Sequence, residues 1–249
     1  MSGYRGIRGS FRLVQNFQVI HCLNRSVRIE AIVFDFDGLL MDTESTLLEC
    51  WQYEWRQHGL ELDPATFFAD HGGDITAERY RQLAAAVGPG YDYATSHARR
   101  TAYRERLHES LGLRDGIDAW LVQAHDAGLR CAVASSSHEE WVTSMLRRAG
   151  RLDAFAVFAF GNEVPVPKPA PDVYLLALDR LGLNPAQAVA VEDSPHGVAA
   201  AKAAGLACIA IPNPFADPAR FTAADLLLTS AADLTLQAAL GALALTSRP

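Results

Sequence analysis

Two aspartates in this chain, Asp35 and Asp37, directly follow a short apolar run and come just before Gly38. In an open α/β sheet, ligands bind beyond the carboxyl ends of the strands, so a strand at residues 31–34 delivers both acids to the expected place of a site. A turn at Gly38 lets the chain leave the sheet and reorient the second acid. Two carboxylates held close together do not both behave as ordinary surface acids. On this pattern alone, however, two solvated turn residues are the simpler interpretation.

Three further polar segments favour chemistry over that interpretation. Ser135 and Ser136 follow a predicted strand, Lys168 opens a helix in the sequence KPAPD, and Glu192 and Asp193 follow another strand in the sequence EDSPHG. Together with the two aspartates they supply what phosphoryl transfer needs: a nucleophile, a proton donor, donors for phosphate oxygens, a fixed cation and acids for a metal. Each segment alone has an alternative as a helix cap or a solvated charge. Four such coincidences in order are difficult to attribute to capping.

The elements that must position these residues alternate between short apolar runs and helical patterns. This alternation is typical of βαβ units and of a parallel sheet buried on both faces. Strands are predicted at residues 31–34, 129–134, 156–160, 188–191, 207–211 and 226–228, and crossover helices at 117–127, 139–149, 171–181 and 197–204. The predicted fold class is therefore α/β, with a doubly wound parallel sheet.

Residues 44–112 interrupt this alternation, because they carry helical periodicity and no convincing strand. A segment of this length is not a plain loop within a compact domain. It is predicted to be an inserted all-helical cap, joined to an α/β core formed by residues 30–43 and 113–249. Gly72 and Gly73 either mark a turn that faces the active site or simply separate two helices, and both interpretations stay open.

Composition and charge limit the possible functions. The chain has 249 residues, 49% of them hydrophobic, and a formal net charge of -7, which predicts a soluble globular protein with a well-buried centre. Nucleic acid is not expected as a ligand, since phosphate backbones require clustered Lys and Arg. No membrane role is expected either, because no apolar run approaches the roughly 20 residues that span a bilayer.

The cysteines and the N-terminal segment bear on location. The four cysteines are scattered and lack the spacing of a zinc site or a disulfide framework, so they are expected to be buried thiols in a reducing cytoplasm. Residues 1–29 contain five arginines and no acidic residue. They are predicted to be a poorly ordered extension, with an organellar transit peptide as the alternative.

The order of these motifs resembles that of the haloacid dehalogenase superfamily. The matching segments are DFDGLLMDT from residue 35, a strand followed by serine, KPAPD from residue 168 and EDSPHG from residue 192. The resemblance covers about residues 30–230, and the helical insert resembles the small cap of the subgroup that contains sugar-phosphate phosphatases and β-phosphoglucomutase. It implies a Rossmann-like core, a Mg²⁺ cofactor and a small phosphorylated metabolite as substrate, in a monomer or small homo-oligomer.

The resemblance also implies roles for individual residues. Asp35 would be the nucleophile, and Asp37 would protonate the leaving oxygen and then activate water against the aspartyl-phosphate. Ser135 would hold the transferring phosphoryl group, and Lys168 would neutralise negative charge. The implied Mg²⁺ ligands are Asp35, the backbone carbonyl of Asp37, Asp193 and, directly or through water, Glu192.

Contacts to the rest of the substrate are expected from the cap and from motif residues near the nucleophile. The candidates are Thr43, Ser136, Arg79, Arg99, Arg100 and Arg104. For each cap arginine the alternative is a solvated helix face.

Departures from the family pattern bear on the reaction. Leu47 occupies the place where β-phosphoglucomutase has a histidine, which favours a phosphatase over a phosphomutase. A non-catalytic sugar-phosphate sensor is the least favoured alternative, because Asp35, Asp37 and Lys168 are all intact. The second acid, Asp37, is lacking in the dehalogenases and favours phosphate chemistry over halide chemistry. The usual proline of the PGV segment, where the chain leaves the cap, is replaced in the sequence Arg114-Asp115-Gly116-Ile117.

Overall fold

The computed structural model describes residues 28–68 and 75–246, and its core is one six-stranded parallel sheet. The strands are β1 (Ala31–Phe34), β2 (Arg130–Ser135), β3 (Val157–Phe160), β4 (Ala188–Glu192), β5 (Ala207–Ala210) and β6 (Leu226–Leu227). Their order across the sheet is β3-β2-β1-β4-β5-β6, which is the strand order of the doubly wound Rossmann fold. The predicted fold class is therefore confirmed, and each predicted strand is present with ends within one or two residues.

The centre of the sheet lies between β1 and β4. Phe34 pairs with Val133 on one side and with Val191 on the other. The backbone N–H of Asp35 donates to the Val191 carbonyl at 2.9 Å, which extends the pairing one residue beyond β1. The order of the strands reverses at this position, so Asp35 lies at the switch point where open α/β sheets bind ligands.

Four helices lie between β1 and the exit from the insert: α1 (Thr43–Arg56), α2 (Pro64–Phe68), α3 (Thr76–Val87) and α4 (Tyr93–Glu109). They bury an apolar cluster of their own, in which Trp51, Phe67 and Leu83 are central. The described part of the insert is thus all-helical, as predicted. Its division from the core at residues 44 and 112 stays a prediction, and the proposed turn at Gly72 and Gly73 lies outside the described residues, as do residues 1–27 of the predicted extension.

Five more helices cover the two faces of the sheet: α5 (Ile117–Asp126), α6 (Glu139–Arg148), α7 (Asp172–Leu181), α8 (Pro195–Ala203) and α9 (Leu236–Thr246). Side chains alternate along β1, so Phe34 packs with α5, α6 and α9, whereas Val33 packs with α7 and α8. Because both faces of β1 are covered, all four of its residues are apolar. Helix α9 was not predicted, since its nearly uniform apolar composition hides the helical period. Within the described residues, no helix is both long and apolar enough to cross a membrane.

Candidate active site

Lys168 joins the ends of three strands beneath Asp35. Its ammonium donates to Asp35 Oδ1 at 2.5 Å, to Glu192 Oε1 at 2.7 Å and to the backbone carbonyl of Ala134 at 2.9 Å. Burial alone would lower the pKa of Lys168, but the two carboxylates outweigh burial and raise it. The lysine is therefore a permanent cation in the site.

Glu192, at the end of β4, is completely buried. Besides Lys168, its Oε1 accepts a hydrogen bond from the Tyr174 hydroxyl at 2.7 Å, and its Oε2 accepts from the backbone N–H of Asp193 at 3.1 Å. The Lys168 ammonium also lies 4.9 Å from the centroid of the Tyr174 ring. Tyr174 was missed by the sequence analysis, because a tyrosine within a predicted helix gives no sign of the carboxylate that it faces.

Three buried acids, Asp35, Glu192 and Asp193, form a cluster in which one oxygen of each lies within 4.8 Å of the others. Asn213, in the loop after β5, donates to Asp193 Oδ2 at 3.3 Å. Burial raises the pKa of Asp35 against the opposing charge of Lys168, and burial together with the neighbouring carboxylates raises the pKa of Asp193.

This cluster fits a divalent cation. The cluster contains three buried carboxylates, and the single positive charge of the Lys168 ammonium, bound to Asp35 and Glu192, cannot neutralise all of them. The ionised cluster therefore has a net negative charge, and a metal ion would favour its charged form. All the donor atoms are oxygens, which suits Mg²⁺. The Asp37 carboxylate is not one of the three acids.

The Asp37 carboxylate faces the loop after β2. The Ser137 hydroxyl donates to its Oδ2 at 2.6 Å, and the Trp141 indole N–H donates to its Oδ1 at 3.0 Å. Burial raises the pKa of Asp37, while hydrogen bonds from Ser137, Trp141 and Thr43 oppose that rise. A carboxyl group with a raised pKa is suited to giving and taking protons near neutral pH. The sequence analysis singled out neither Ser137 nor Trp141 as a partner of Asp37.

Gly38 makes the turn that separates Asp37 from the insert. Its φ is 77°, a left-handed conformation, and a Cβ here would lie 2.1 Å from Asp193 Oδ2. Glycine is therefore required both by the backbone and by the close approach. The Gly38 N–H donates to the Thr43 hydroxyl at 3.0 Å. Thr43, predicted to contact the substrate, thus stabilises this turn, and it is not among the described residues that line the cavity.

A cavity of about 850 Å³ opens over these residues. The polar core residues that line it include Asp35, Asp37, Ser135, Ser136, Lys168, Asp193 and Asn213. The insert contributes Pro64, Ala65 and Phe68 from α2. The Phe68 ring stacks on that of Phe215 from the loop after β5, with centroids 4.5 Å apart and planes inclined by 9°. The cavity is thus enclosed by both cap and core, and its volume suits a small organic phosphate.

Arg99 and Arg100 of the cap contact side chains on other cap helices. Arg99 donates to the two carboxylate oxygens of Glu54 at 2.6 and 2.8 Å. Arg100 is buried, donates to the Tyr80 hydroxyl at 2.7 Å, and lies over the Trp51 ring at 4.6 Å. Each of these contacts joins helices of the cap to one another.

Arg79 is also used in cap packing, with its guanidinium carbon 3.7 Å from the centroid of the Phe67 ring. None of Arg79, Arg99, Arg100 and Arg104 is among the described residues that line the cavity. Substrate contact by the cap arginines stays a prediction, and in the described structure Arg79, Arg99 and Arg100 contact other side chains of the cap. Among the described lining residues, the permanent cations are Lys168 and Arg220.

Comparison with known proteins agrees with this geometry. A family model described as haloacid dehalogenase-like hydrolase matches residues 32–211. YhcW of Bacillus subtilis is 35% identical over 209 residues, spanning 84% of this chain and 94% of the relative. Hexitol phosphatase A of Escherichia coli is 31% identical over 210 residues, spanning 84% of this chain and 95% of the relative.

Solved structures extend the comparison. Crystal structures of CbbY from Rhodobacter sphaeroides, one with phosphate and one of a mutant with xylulose-(1,5)-bisphosphate, match with a TM-score of 0.63 and 33% identity. The match covers 84% of this chain and 98% of CbbY. On the family match, the identity to its relatives and the shared fold, the chain belongs to the haloacid dehalogenase-like hydrolases.

Proposed function

We propose that this protein is a Mg²⁺-dependent phosphatase that hydrolyses a small phosphate monoester, a sugar phosphate or a similar metabolite, through an aspartyl-phosphate intermediate. The observation that carries the proposal is that Asp35, Asp37, Ser135 and Lys168 all line one cavity, beside a buried acidic cluster. The hexitol phosphatase and the CbbY structure with a sugar bisphosphate support a phosphorylated sugar or polyol as the substrate class.

In the first step, an oxygen of Asp35 would attack phosphorus while the bond from phosphorus to the leaving oxygen breaks. Asp37 would give its proton to that leaving oxygen. The Ser135 hydroxyl would bind a phosphoryl oxygen, and Lys168 would stabilise the negative charge. Mg²⁺, held by Asp35, Asp193 and the backbone carbonyl of Asp37, would supply further charge neutralisation when bound.

In the second step, Asp37 is a carboxylate and would take a proton from a water molecule. That water would attack the phosphorus of the aspartyl-phosphate, break its bond to Asp35 and release inorganic phosphate. The same group would thus act first as an acid and then as a base. Both roles require the carboxyl group of Asp37 to remain at one place in the cavity, as the bonds from Ser137 and Trp141 favour.

The test is a phosphate-release screen over hexitol phosphates, hexose phosphates, pentose bisphosphates and nucleotides, each with Mg²⁺ and with EDTA. We expect turnover of sugar or polyol phosphates in Mg²⁺ and its loss in EDTA. Acid quenching followed by mass spectrometry should find phosphate on Asp35. Full turnover in EDTA, or a phosphate adduct on another residue, would contradict the proposal, and an isomeric sugar phosphate in place of free phosphate would identify a phosphomutase.

A further inference from the structure

Trp141 lies in the first turn of α6 and contacts the carboxylate to which the two proton transfers are assigned. Its indole N–H and the Ser137 hydroxyl each bind a different oxygen of Asp37, at 3.0 and 2.6 Å. A carboxylate held at both oxygens by donors of one rigid loop and helix has its orientation restricted. An indole N–H is a donor only, so the bond from Trp141 leaves the carboxylate as the acceptor.

The Trp141 ring is itself held from two sides. It packs edge to face on Phe36, with centroids 6.5 Å apart and planes at 88°. On its other side the ring lies 5.0 Å from that of His108, which is in the last turn of α4. Phe36 and His108 are both buried. The ring therefore contacts the segment between the two catalytic aspartates as well as the helix through which the chain leaves the cap.

His108 is fixed in turn by the first turn of α1. Thr46 Oγ1 lies 3.1 Å from His108 Nε2 and donates its single proton to the Thr43 carbonyl at 2.8 Å. The histidine must therefore be the donor to Thr46, with its proton on Nε2. Burial, with help from Arg104 and Arg148, lowers the pKa of His108 to about 4, which agrees with a neutral ring.

We propose that Trp141 is a positioning residue for the acid and base Asp37, and that His108 keeps the Trp141 ring in the place from which it acts. The inference rests on the proposed phosphatase function. It assigns to Trp141 no contact with substrate. Its effect should therefore appear only in steps in which a proton moves to or from Asp37.

The test compares Trp141→Phe with the parent enzyme in single turnovers, with enzyme in excess and Mg²⁺ present. Phenylalanine keeps a ring against Phe36 and His108 but lacks the N–H. For a sugar or alkyl phosphate, whose leaving oxygen needs a proton, we expect the saturated rate of leaving-group release to fall about tenfold, as is usual for losing one hydrogen bond to a charged group. The enzyme concentration that gives half of the saturated rate should stay within about twofold, since Trp141 does not bind substrate. For 2,4-dinitrophenyl phosphate, whose leaving group needs no proton, the release rate should equal that of the parent.

Trp120→Phe is the matched control. Trp120 is a buried residue of α5 that does not line the cavity, and its indole N–H donates to the Leu234 carbonyl at 2.9 Å. The Trp120→Phe variant should have a lower melting temperature and unchanged release rates for both kinds of substrate. His108→Leu, which removes the neighbouring ring and keeps the Trp141 N–H, should give a smaller loss than Trp141→Phe, again confined to the alkyl phosphate.

Parental rates in Trp141→Phe would overturn the inference, as would equal losses on both kinds of leaving group, because a general disturbance of the site does not distinguish between them. Absence of any phosphate release by the parent enzyme would instead overturn the proposed function, and this inference with it.

Discussion

At the scale of single residues, Lys168 is the cation that binds the buried acids Asp35 and Glu192. The three protons of the Lys168 ammonium are all used, by Asp35, by Glu192 and by the Ala134 carbonyl. In this arrangement Lys168 would act on a phosphoryl group through its charge and not by donating a hydrogen bond. Direct donors to the phosphate must then come from the Ser135 hydroxyl and from backbone amides.

Asp35→Asn tests the nucleophile. The amide keeps the shape of the side chain but cannot form the aspartyl-phosphate, so phosphate release should fall below detection. The melting temperature should stay equal or rise, because a buried charge is removed. Steady-state phosphate release and a thermal melt measure the two effects, and turnover within a few-fold of the parent would contradict the assignment of Asp35.

Asp193→Asn tests the metal ligand. We expect the Mg²⁺ concentration for half-maximal activity to rise by about tenfold or more, as loss of a charged ligand or its support weakens metal binding. Raising Mg²⁺ should restore part of kcat. Asp225→Asn is the control, since Asp225 binds Lys202 at 2.6 Å and does not line the cavity. An unchanged Mg²⁺ dependence in Asp193→Asn would remove this residue from the metal site.

At the scale of secondary-structure elements, the approach of α8 to the end of β4 places Glu192. Gly197 lies in the first turn of α8, and a Cβ there would lie 1.9 Å from the carboxyl carbon of Glu192. The carboxylate can therefore contact Lys168 and Tyr174 only if residue 197 has no side chain. This gives a physical reason for the glycine at the end of the sequence EDSPHG.

Gly197→Ala should displace Glu192 and cost about 1–3 kcal/mol in the free energy of unfolding, the usual penalty of overpacking. The Mg²⁺ requirement should also increase. Gly241→Ala is the matched control, because Gly241 is in α9 and a Cβ there meets no atom within 4 Å. Alanine at that helical position should raise stability by about 0.5–1 kcal/mol. Denaturant unfolding measures both, and equal effects of the two substitutions would contradict the packing argument.

The ion pair between α1 and α4 gives a prediction about the cap. Burial would raise the pKa of Glu54, but the hydrogen bonds and charge of Arg99, with a hydrogen bond from His58, outweigh it and lower that pKa below its ordinary value of 4.5. Because the folded-state pKa is the lower one, the stabilisation is fully present above pH 4.5 and is lost as the pH falls through the folded-state pKa. The ion pair should therefore stabilise the folded protein at neutral pH, and this stabilisation should be lost in acid.

Arg99→Ala should cost about 1–3 kcal/mol of stability at pH 7, since it leaves a buried carboxylate without its main donor. The difference from the parent should shrink as the pH is lowered below 4.5. Substrate ranking should be unchanged, because Arg99 does not line the cavity. Arg81→Ala, which breaks an exposed pair with Glu78, should cost less than about 1 kcal/mol. A changed substrate ranking in Arg99→Ala would restore the original expectation of substrate contact.

At the scale of the whole molecule, the cavity lies between a cap with its own apolar core and a sheet that holds the polar groups. The two parts meet across it at the stacked rings of Phe68 and Phe215. Arg220 lines the same cavity from the short turn Pro218–Phe221, and its side chain is exposed. Its positive charge is suited to a second anionic group of the substrate, because the Lys168 ammonium already binds Asp35 and Glu192.

Arg220→Ala should therefore raise KM about tenfold for a sugar bisphosphate, whose second phosphate would lose a charge-assisted bond. For a sugar monophosphate KM should change less than twofold, and kcat should be unchanged for both, since the contact is equal in ground and transition states. Arg220→Lys keeps the charge and should recover part of the loss. An unchanged KM for the bisphosphate would show that Arg220 is solvated surface, and an equal rise on both substrates would show that it does not contact the second phosphate.

The sequence by itself determined the parallel sheet and the gathering of the candidate site residues at one edge of it. Each strand is a short apolar run because it is buried on both faces, and parallel strands bring their carboxyl ends to one edge. Asp35, Ser135 and Asp193 meet for that reason. The all-helical nature of the insert followed in the same way from its periodicity.

Only the tertiary structure decided which side chain faces which. Asp37 and Trp141 are 104 residues apart, and Glu54 and Arg99 are 45 apart. Their contacts depend on how separate helices pack, which no local pattern encodes. The cap arginines illustrate the consequence, because the same residue type serves equally for binding an anion or for completing a small core. Packing of the cap buried Arg100 against Trp51 and left Arg220, in the core, to line the cavity.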